Sequence, residues 1–196
     1  MSRKSAHKQR TRSRILDEAA RAMREHGHEG ISVANLMKNA GLTHGGFYAH
    51  FEDRDDLVAE AISRMFEDSQ ARVERHRRLD EPRETLVALI DDYLSDDHRR
   101  HVGTGCPIAA LGSEAARLPP AARRRFQEGL RNFRDALRDA IAETGVENAD
   151  PIASFALSEM VGALTLARAA RNVTEANELL DHVRGQLKRR LDLLVD

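Results

Sequence analysis

The chain has 196 residues, enough for a substantial core, and its 31 Lys and Arg nearly balance 32 Asp and Glu. Scarce aromatic residues, no tryptophan and no period-2 alternation of Val, Ile and Thr exclude a sheet protein and leave an all-α fold. A single cysteine, Cys106, excludes an internal disulfide, and the lack of a leader or of an uninterrupted apolar run of about 20 residues predicts a cytoplasmic protein without membrane contact.

Charge is unevenly spread along the chain. Residues 1–55 carry 10 Lys and Arg against 7 Asp and Glu, whereas the remainder carries 21 against 25. The excess is concentrated in "MSRKSAHKQRTRSR", with six basic side chains and no acid: a basic arm on an acidic body, either a solvated tail or a nucleic-acid contact. Beyond the arm, Ile15, Leu16, Ala19, Ala20 and Met23 share one helical face up to Gly27, a residue suited to a helix end with positive φ. Ser32 is a candidate N-cap for a short helix bearing Val33, Leu36, Met37 and Ala40, which Gly41 closes. Only Leu42 separates Gly41 from Thr43, the next candidate cap, and short helices joined by so tight a turn make a helix-turn-helix. The helix after the turn is "HGGFYAHF", with Phe47 and Phe51 facing inward and His44, Gly45, Tyr48 and His50 opposite.

Acid at Asp53, Asp55 and Asp56 favours the start of a long connecting helix, whose apolar stripe from Val58 to Val73 predicts an end near Arg78. Pro82 opens a helix striped by Leu86, Leu89, Ile90, Tyr93 and Leu94, and "SDDHRRHVGTG" breaks it. Pro107 opens "PIAALGSEAARL", and Pro119 with Pro120 opens a helix lined by Phe126, Leu130, Phe133, Leu137 and Ile141 as far as Gly145.

The last two helices differ from the rest. "PIASFALSEMVGALTLARAA" is apolar or small almost all round, and "ANELLDHVRGQLKRRLDLLV" repeats Leu180, Leu187 and Leu194 at seven-residue spacing, with Val183 and Leu191 completing the stripe. A domain this small does not easily surround the first of them. The expectation is a four-helix interface between two copies, drawing on Phe155, Val161, Leu164, Leu180, Val183, Leu187 and Leu191; the alternative is an ordinary monomer core.

The glycine pair carries the functional argument. Each glycine inside a helix costs about 1 kcal/mol relative to alanine, so Gly45 and Gly46 imply that something must come close to that backbone. A helix in the DNA major groove has that need, because its N-terminal backbone must reach phosphates and base edges at hydrogen-bond distance. Tyr48, His44, His50 and Arg54 supply groups for such contacts, although Tyr48 and His50 also suit packing between helices.

"ISVANLMKNAGLTHGGFYAHFEDRDDL" resembles the DNA-binding segment of TetR/AcrR-family transcriptional repressors. Ala40-Gly41, Gly45, Phe47-Tyr48, His50-Phe51 and Leu57 fall on that family's pattern, and Met37, Leu42, Thr43 and Arg54 depart from it conservatively. The resemblance implies a nine-helix protomer, with an arm and helix-turn-helix domain over 1–54 and a ligand-binding and dimerisation domain over 55–196. It implies a homodimer on a palindromic double-stranded DNA operator, released when a small-molecule effector moves the connecting helix. The DNA-facing set it implies is Ser32, Thr43, His44, Gly45, Gly46, Tyr48, His50 and Arg54, with Lys8, Arg10 and Arg12 of the arm on the DNA backbone.

In the second domain Cys106 precedes Pro107 and so falls at a helix N-cap, where the dipole favours thiolate, with His98, Arg99, Arg100 and His101 nearby in sequence. Such a thiol is a candidate sensor of electrophiles or oxidants. The Gly-Cys-Pro-Ile segment also resembles that of the N-ethylmaleimide-responsive repressor subgroup; the alternative is a small buried hydrophobe. An apolar effector pocket would draw on Met65, Phe66, Tyr93, Phe126, Phe133 and Met160, all of which also suit plain core. Asp96, Asp97, His98, His101 and Cys106 follow no established metal pattern, so neither metal nor cofactor is expected. No nucleophile elbow, HExxH or phosphate-cradling loop argues for an enzyme. A dimeric helical adaptor or ligand-binding protein without DNA binding is the remaining alternative, and it leaves Gly45, Gly46 and the basic arm without a purpose.

Overall fold

The computed structural model describes residues 3–76 and 81–193, and among these it contains nine α-helices, three short 3₁₀ turns and no strand. Arg78 and Leu194, named above, lie outside the described residues. Helix α1 (Arg3–His26) begins inside the basic stretch, so the expected arm is the first turns of a helix. Its run of Lys, Arg, Gln and Ala, free of glycine and proline, favours that outcome. α1 ends at Gly27 (φ +75°) as expected. The hydroxyl of Ser32 accepts from the Asn35 N–H (3.4 Å) to cap α2 (Val33–Asn39). That helix closes with a Schellman motif: the Gly41 N–H donates to Lys38 O (3.0 Å) and the Leu42 N–H to Met37 O (2.8 Å), with Gly41 at φ +68°.

The segment expected as the helix "HGGFYAHF" is a six-residue 3₁₀ turn, His44–Ala49, and the Thr43 side chain makes no capping bond. Two adjacent glycines weaken the propensity for a longer helix. α3 (Arg54–His76) starts from a reciprocal cap in which Asp53 Oδ1 accepts from the Asp56 N–H (2.8 Å) and Asp56 Oδ2 from the Glu52 N–H (3.1 Å). There follow α4 (Pro82–Tyr93), α5 (Asp96–Arg100) and α6 (Pro107–Leu111), then α7 (Pro120–Glu143), α8 (Ala149–Ala169) and α9 (Val173–Arg190). α5 falls in the stretch expected as a break; the Ser95 hydroxyl caps it by accepting from the His98 N–H (3.0 Å). α6 stops five residues after it begins, at Gly112, and a 3₁₀ turn (Ala115–Arg117) replaces the rest of the expected helix.

Two apolar cores result. One lies beneath the helix-turn-helix, where Ile15, Met23, Met37, Phe47 and Phe51 meet Leu57, Ile62 and Met65 of α3, and Leu111, Leu118 and Phe126 of the α6–α7 region. The other joins α4, α7, α8 and α9 around Leu86, Ile90, Leu137, Ile141, Met160 and Leu164. Leu164, Leu180, Leu187 and Leu191 are buried within this second core, which corrects their assignment to a surface between copies. The seven-residue stripe of α9 faces its own protomer, because α8 and α4 are there to cover it. Phe155 is instead 69 % exposed, and Val161 and Val183 are half-buried. By length and composition alone α8 is apolar enough to cross a membrane, against the expectation that no segment would be; it packs against α7 and α9 as a core helix.

Candidate nucleic-acid interface

The 3₁₀ turn His44–Ala49 stands on Phe47, which is 2 % exposed and stacks on Phe51 at 5.5 Å between ring centroids. With Phe47 anchored, the next side chain turns outward: Tyr48 is 68 % exposed, its ring edge-on to Phe47. His44 and Gly45 are exposed beside it. A Cβ built on Gly45 would meet nothing within 4 Å, and one on Gly46 only Thr43 Oγ1 (3.6 Å) and Met37 Cε (3.7 Å). Neither glycine has positive φ. No internal contact or backbone conformation therefore demands Gly45.

α1 flanks this patch with cations. Lys8 and Arg10 are exposed on it. Arg12 is more committed: its guanidinium ion-pairs with Glu60, lies 5.0 Å over the Phe51 ring and donates to His50 O (3.4 Å). His50 is half-buried with Nδ1 unpartnered, and burial together with the nearby Lys8 and Arg12 charges holds its pKa below the ordinary imidazole value. Arg54, expected to reach DNA, donates to His28 O (2.6 Å) and so ties the start of α3 to the α1–α2 turn. Ser32 is exposed but spends its oxygen on the cap. The structure thus brings His44, Gly45, Gly46 and Tyr48 together in one turn with Lys8 and Arg12 beside the adjoining His50, leaves Arg10 exposed on another face of α1, and assigns Ser32 and Arg54 local structural work.

α1 and the turn after it are tied to distant parts of the chain by contacts that no short-range pattern announces. Arg24 of α1 is 5 % exposed; it donates to Met65 O (3.0 Å), Asp68 Oδ2 (3.0 Å) and, in the turn before Cys106, Gly103 O (3.2 Å). Glu114 Oε2 lies 2.7 Å from His28 Nδ1 and accepts from the His28 N–H (3.1 Å). Burial opposes ionisation of Glu114, yet the His28 bonds outweigh it and hold the carboxyl below its usual range. Both pairs join residues at least 79 positions apart in sequence, for Arg24 with Gly103 and His28 with Glu114.

Residues 15–61 match the sequence pattern of the tetR family of bacterial regulatory proteins, and residues 82–182 that of the C-terminal domain of LmrA/YxaF-like transcriptional regulators. The chain belongs to the TetR family of transcriptional regulators. It is 31 % identical over 190 residues to the HTH-type transcriptional regulator Rv0196 of Mycobacterium tuberculosis, covering 90 % of this chain and 92 % of the relative. It is 22 % identical over 183 residues to the regulator LmrA of Bacillus subtilis, covering 91 % and 97 %. In fold it superimposes on a TetR regulator from Chloroflexus aurantiacus with a TM-score of 0.80 (24 % identity, 94 % and 97 % covered). The reduced form of E. coli NemR gives 0.75 (19 % identity, 89 % and 96 % covered). TetR regulators bind DNA and dimerise, and they are not enzymes.

This TetR-family chain carries a second candidate site in its interior. A cavity of about 40 Å³ is lined by Tyr93, His98, Cys106, Phe133 and Met160 with Leu89 and neighbouring residues of α3 and α7. Three of the six residues expected to form an effector pocket are there. Phe66 instead faces an adjoining cleft of about 430 Å³ between α3 and α7, its ring laid against Gly129, where a Cβ would come within 2.2 Å. Met65 and Phe126 are core beneath the helix-turn-helix, a correction that follows from α3 and α7 reaching into both cores.

Cys106 is 4 % exposed, and its N–H donates to His98 Nε2 (2.9 Å). His98 Nδ1 lies 2.7 Å from Tyr93 O, so the ring is the neutral tautomer protonated on Nδ1, with both nitrogens used. Burial pushes its pKa down to about 4, Arg72 and Arg168 adding to the effect. The cations expected beside Cys106 are engaged elsewhere, Arg99 and Arg100 with Asp96 and His101 with Asp97, and the charges that reach the thiol are those of Arg168 and Arg24. α6 has only five residues to supply a dipole. Among the described residues no group of three or more His, Cys, Asp and Glu is placed to hold a metal.

Proposed function

We propose that this TetR-family regulator is a homodimeric repressor that binds a palindromic operator in the cytoplasm and is released by a small-molecule effector. The observation that carries the DNA contact is Gly45: a backbone position with open space around it, beside an exposed Tyr48, has its reason outside the chain. Tyr48, His44 and the Gly45–Gly46 backbone enter the major groove, and Lys8, Arg10 and Arg12 lie along the phosphates. Residues 1–54 form the DNA-binding domain and 55–196 the effector and dimer domain, with α8 and α9 presenting Phe155, Val161 and Val183 to the second copy. Effector binding shifts α3, which begins two residues after Glu52 and contributes to both cores, and so changes the spacing of the paired recognition turns.

The effector site is the Cys106 cavity, and the effector class is an electrophile or oxidant that modifies the thiol. Its support is the thiol's place on the cavity wall, one turn of chain from the Gly103–Arg24 contact with the DNA-binding half. Selection of bound sequences from random DNA, repeated with and without a quinone, tests the whole reading. A palindromic consensus whose binding falls steeply with salt and with quinone is expected. Salt-insensitive or absent enrichment would favour the adaptor alternative.

A further inference from the structure

Tyr93 ends α4 with 5 % of its surface exposed, and its hydroxyl is buried without a hydrogen-bond partner. A buried hydroxyl left unpaired is costly and calls for an explanation, one of which is a partner supplied by a ligand. The nearby polar groups are already engaged. His98 uses both ring nitrogens, Arg168 donates to His98 O (3.1 Å) and Arg99 O (3.3 Å), and Asp92 takes Arg72 and His76, each at 3.3 Å. The Cys106 thiol is the one group that reaches the hydroxyl, and as a weak sulfur partner it leaves the hydroxyl without a full hydrogen bond. Burial, with Cys106 adding to it, drives the phenol well above its ordinary range, so the hydroxyl keeps its proton and is available only as a neutral donor or acceptor.

Around this pair the cavity is apolar, walled by Leu89, Leu137 and Met160. Its volume of about 40 Å³ admits a head group, and the adjoining cleft shares Val73, Phe133 and Ala136 with it and has room for the remainder of a molecule. The complement is an apolar compound with one hydrogen-bond acceptor beside a carbon that a thiol can attack.

We infer that Tyr93 selects the effector chemistry: its hydroxyl donates to the carbonyl oxygen of a small α,β-unsaturated carbonyl compound and turns the β-carbon toward Cys106 Sγ. This rests on Cys106 being the effector-responsive thiol. In the addition the S–H bond breaks and an Sγ–C bond forms at the β-carbon. The π electrons of the C=C bond move toward the carbonyl oxygen, where the Tyr93 hydroxyl stabilises the developing enolate. The thiol proton ends on the α-carbon, so atoms and electrons balance without an oxidant or a second reactant.

Intact-protein mass spectrometry of the full chain, following adduct formation at Cys106, tests this with two reagents. N-ethylmaleimide carries the carbonyl; methyl methanethiosulfonate does not, and forms a mixed disulfide while releasing methanesulfinate. For Tyr93→Phe the maleimide rate is expected to fall about tenfold, the worth of one donor to a developing oxyanion at the modest end, with the thiosulfonate rate within about twofold of wild type. Equal rates in the variant and wild type for maleimide, or an equal fall for both reagents, would overturn the role of Tyr93. Wild-type protein gives a second readout that does not depend on the variant: its maleimide-to-thiosulfonate rate ratio should exceed that of free glutathione about tenfold, and a ratio equal to glutathione's would overturn the inference. Failure of both reagents to label wild-type Cys106 would instead sink the reading of Cys106 as the responsive thiol, and this inference with it.

Discussion

Protonation of His98 should be the largest single acid sensitivity of the C-terminal domain. The folded protein holds the imidazole at a pKa of about 4, whereas an unfolded chain returns it to about 6.5. Because the folded value is the lower one, the unfolded state binds the proton first. The stabilising contribution is complete above about pH 6.5 and is lost progressively as pH falls toward about 4. Working the linkage between about pH 7.5 and about pH 5 gives a loss of about 2 kcal/mol from this one group. Protonation also removes the acceptor that Nε2 offers to the Cys106 N–H, so the loss should be felt at the thiol loop. Urea denaturation at fixed protomer concentration, at both pH values, compares wild type with His98→Gln. The variant is expected to be less stable at neutral pH and to show a pH dependence smaller by about 2 kcal/mol. An identical pH dependence in the two proteins would refute the claim that His98 is buried neutral.

Further expectations follow from burial. Phe155→Glu, at a site 69 % exposed in the protomer, should leave the unfolding signal of the fold intact but raise the dimer dissociation constant at least about tenfold by sedimentation, since an isologous face contains the change twice. An unchanged dissociation constant would move the interface elsewhere. Leu180→Ala should cost roughly 2–5 kcal/mol of unfolding free energy, as a buried leucine emptied from a core does. Wild-type unfolding combined with weakened dimerisation would return Leu180 to the interface between copies. Glu114→Gln removes the carboxylate from buried His28 and should weaken the coupling between effector and DNA binding, read as a smaller effector-induced change in operator affinity. An unchanged coupling would mean that this contact is only a fastener.

Much of the fold could be read locally. The helix ends at Gly27 and Gly41, the cap at Ser32 and the Asp53 start all depend on residues within a turn of one another, and all four appear where expected. The same local logic failed where two signals compete. Ser95-Asp96-Asp97 is a helix start inside a stretch whose glycines suggested only a loop, and Gly45-Gly46 shortens the recognition element to a 3₁₀ turn. The leucine stripe of α9 shows the third kind of limit. Periodicity identifies which face of a helix is covered but not what covers it, and here α8 and α4 do so within one protomer. For the surface proposed to face DNA the residue types were legible, while the engagement of Arg12 with Glu60 and of Arg54 with His28 O depends on partners 48 and 26 positions away, outside any local pattern.

At the interior site, the sequence pointed to Cys106 but to the wrong cations beside it, since the charges that reach the thiol belong to Arg168 and Arg24, far away in sequence. Arg99 and Arg100 satisfy Asp96 on the surface, and the group that touches the Cys106 backbone is a neutral histidine. The unpaired Tyr93 hydroxyl had no sequence signal, because a tyrosine on an apolar helical stripe is usually core.

The account turns on the backbone at Gly45 touching a duplex, and operator affinity of Gly45→Leu measured beside its thermal unfolding tests that most directly. A Cβ at this position meets nothing within 4 Å, so the variant should unfold at or slightly above the wild-type temperature while losing at least about 100-fold in affinity for the selected operator. Wild-type affinity in a stably folded Gly45→Leu protein would contradict the claim.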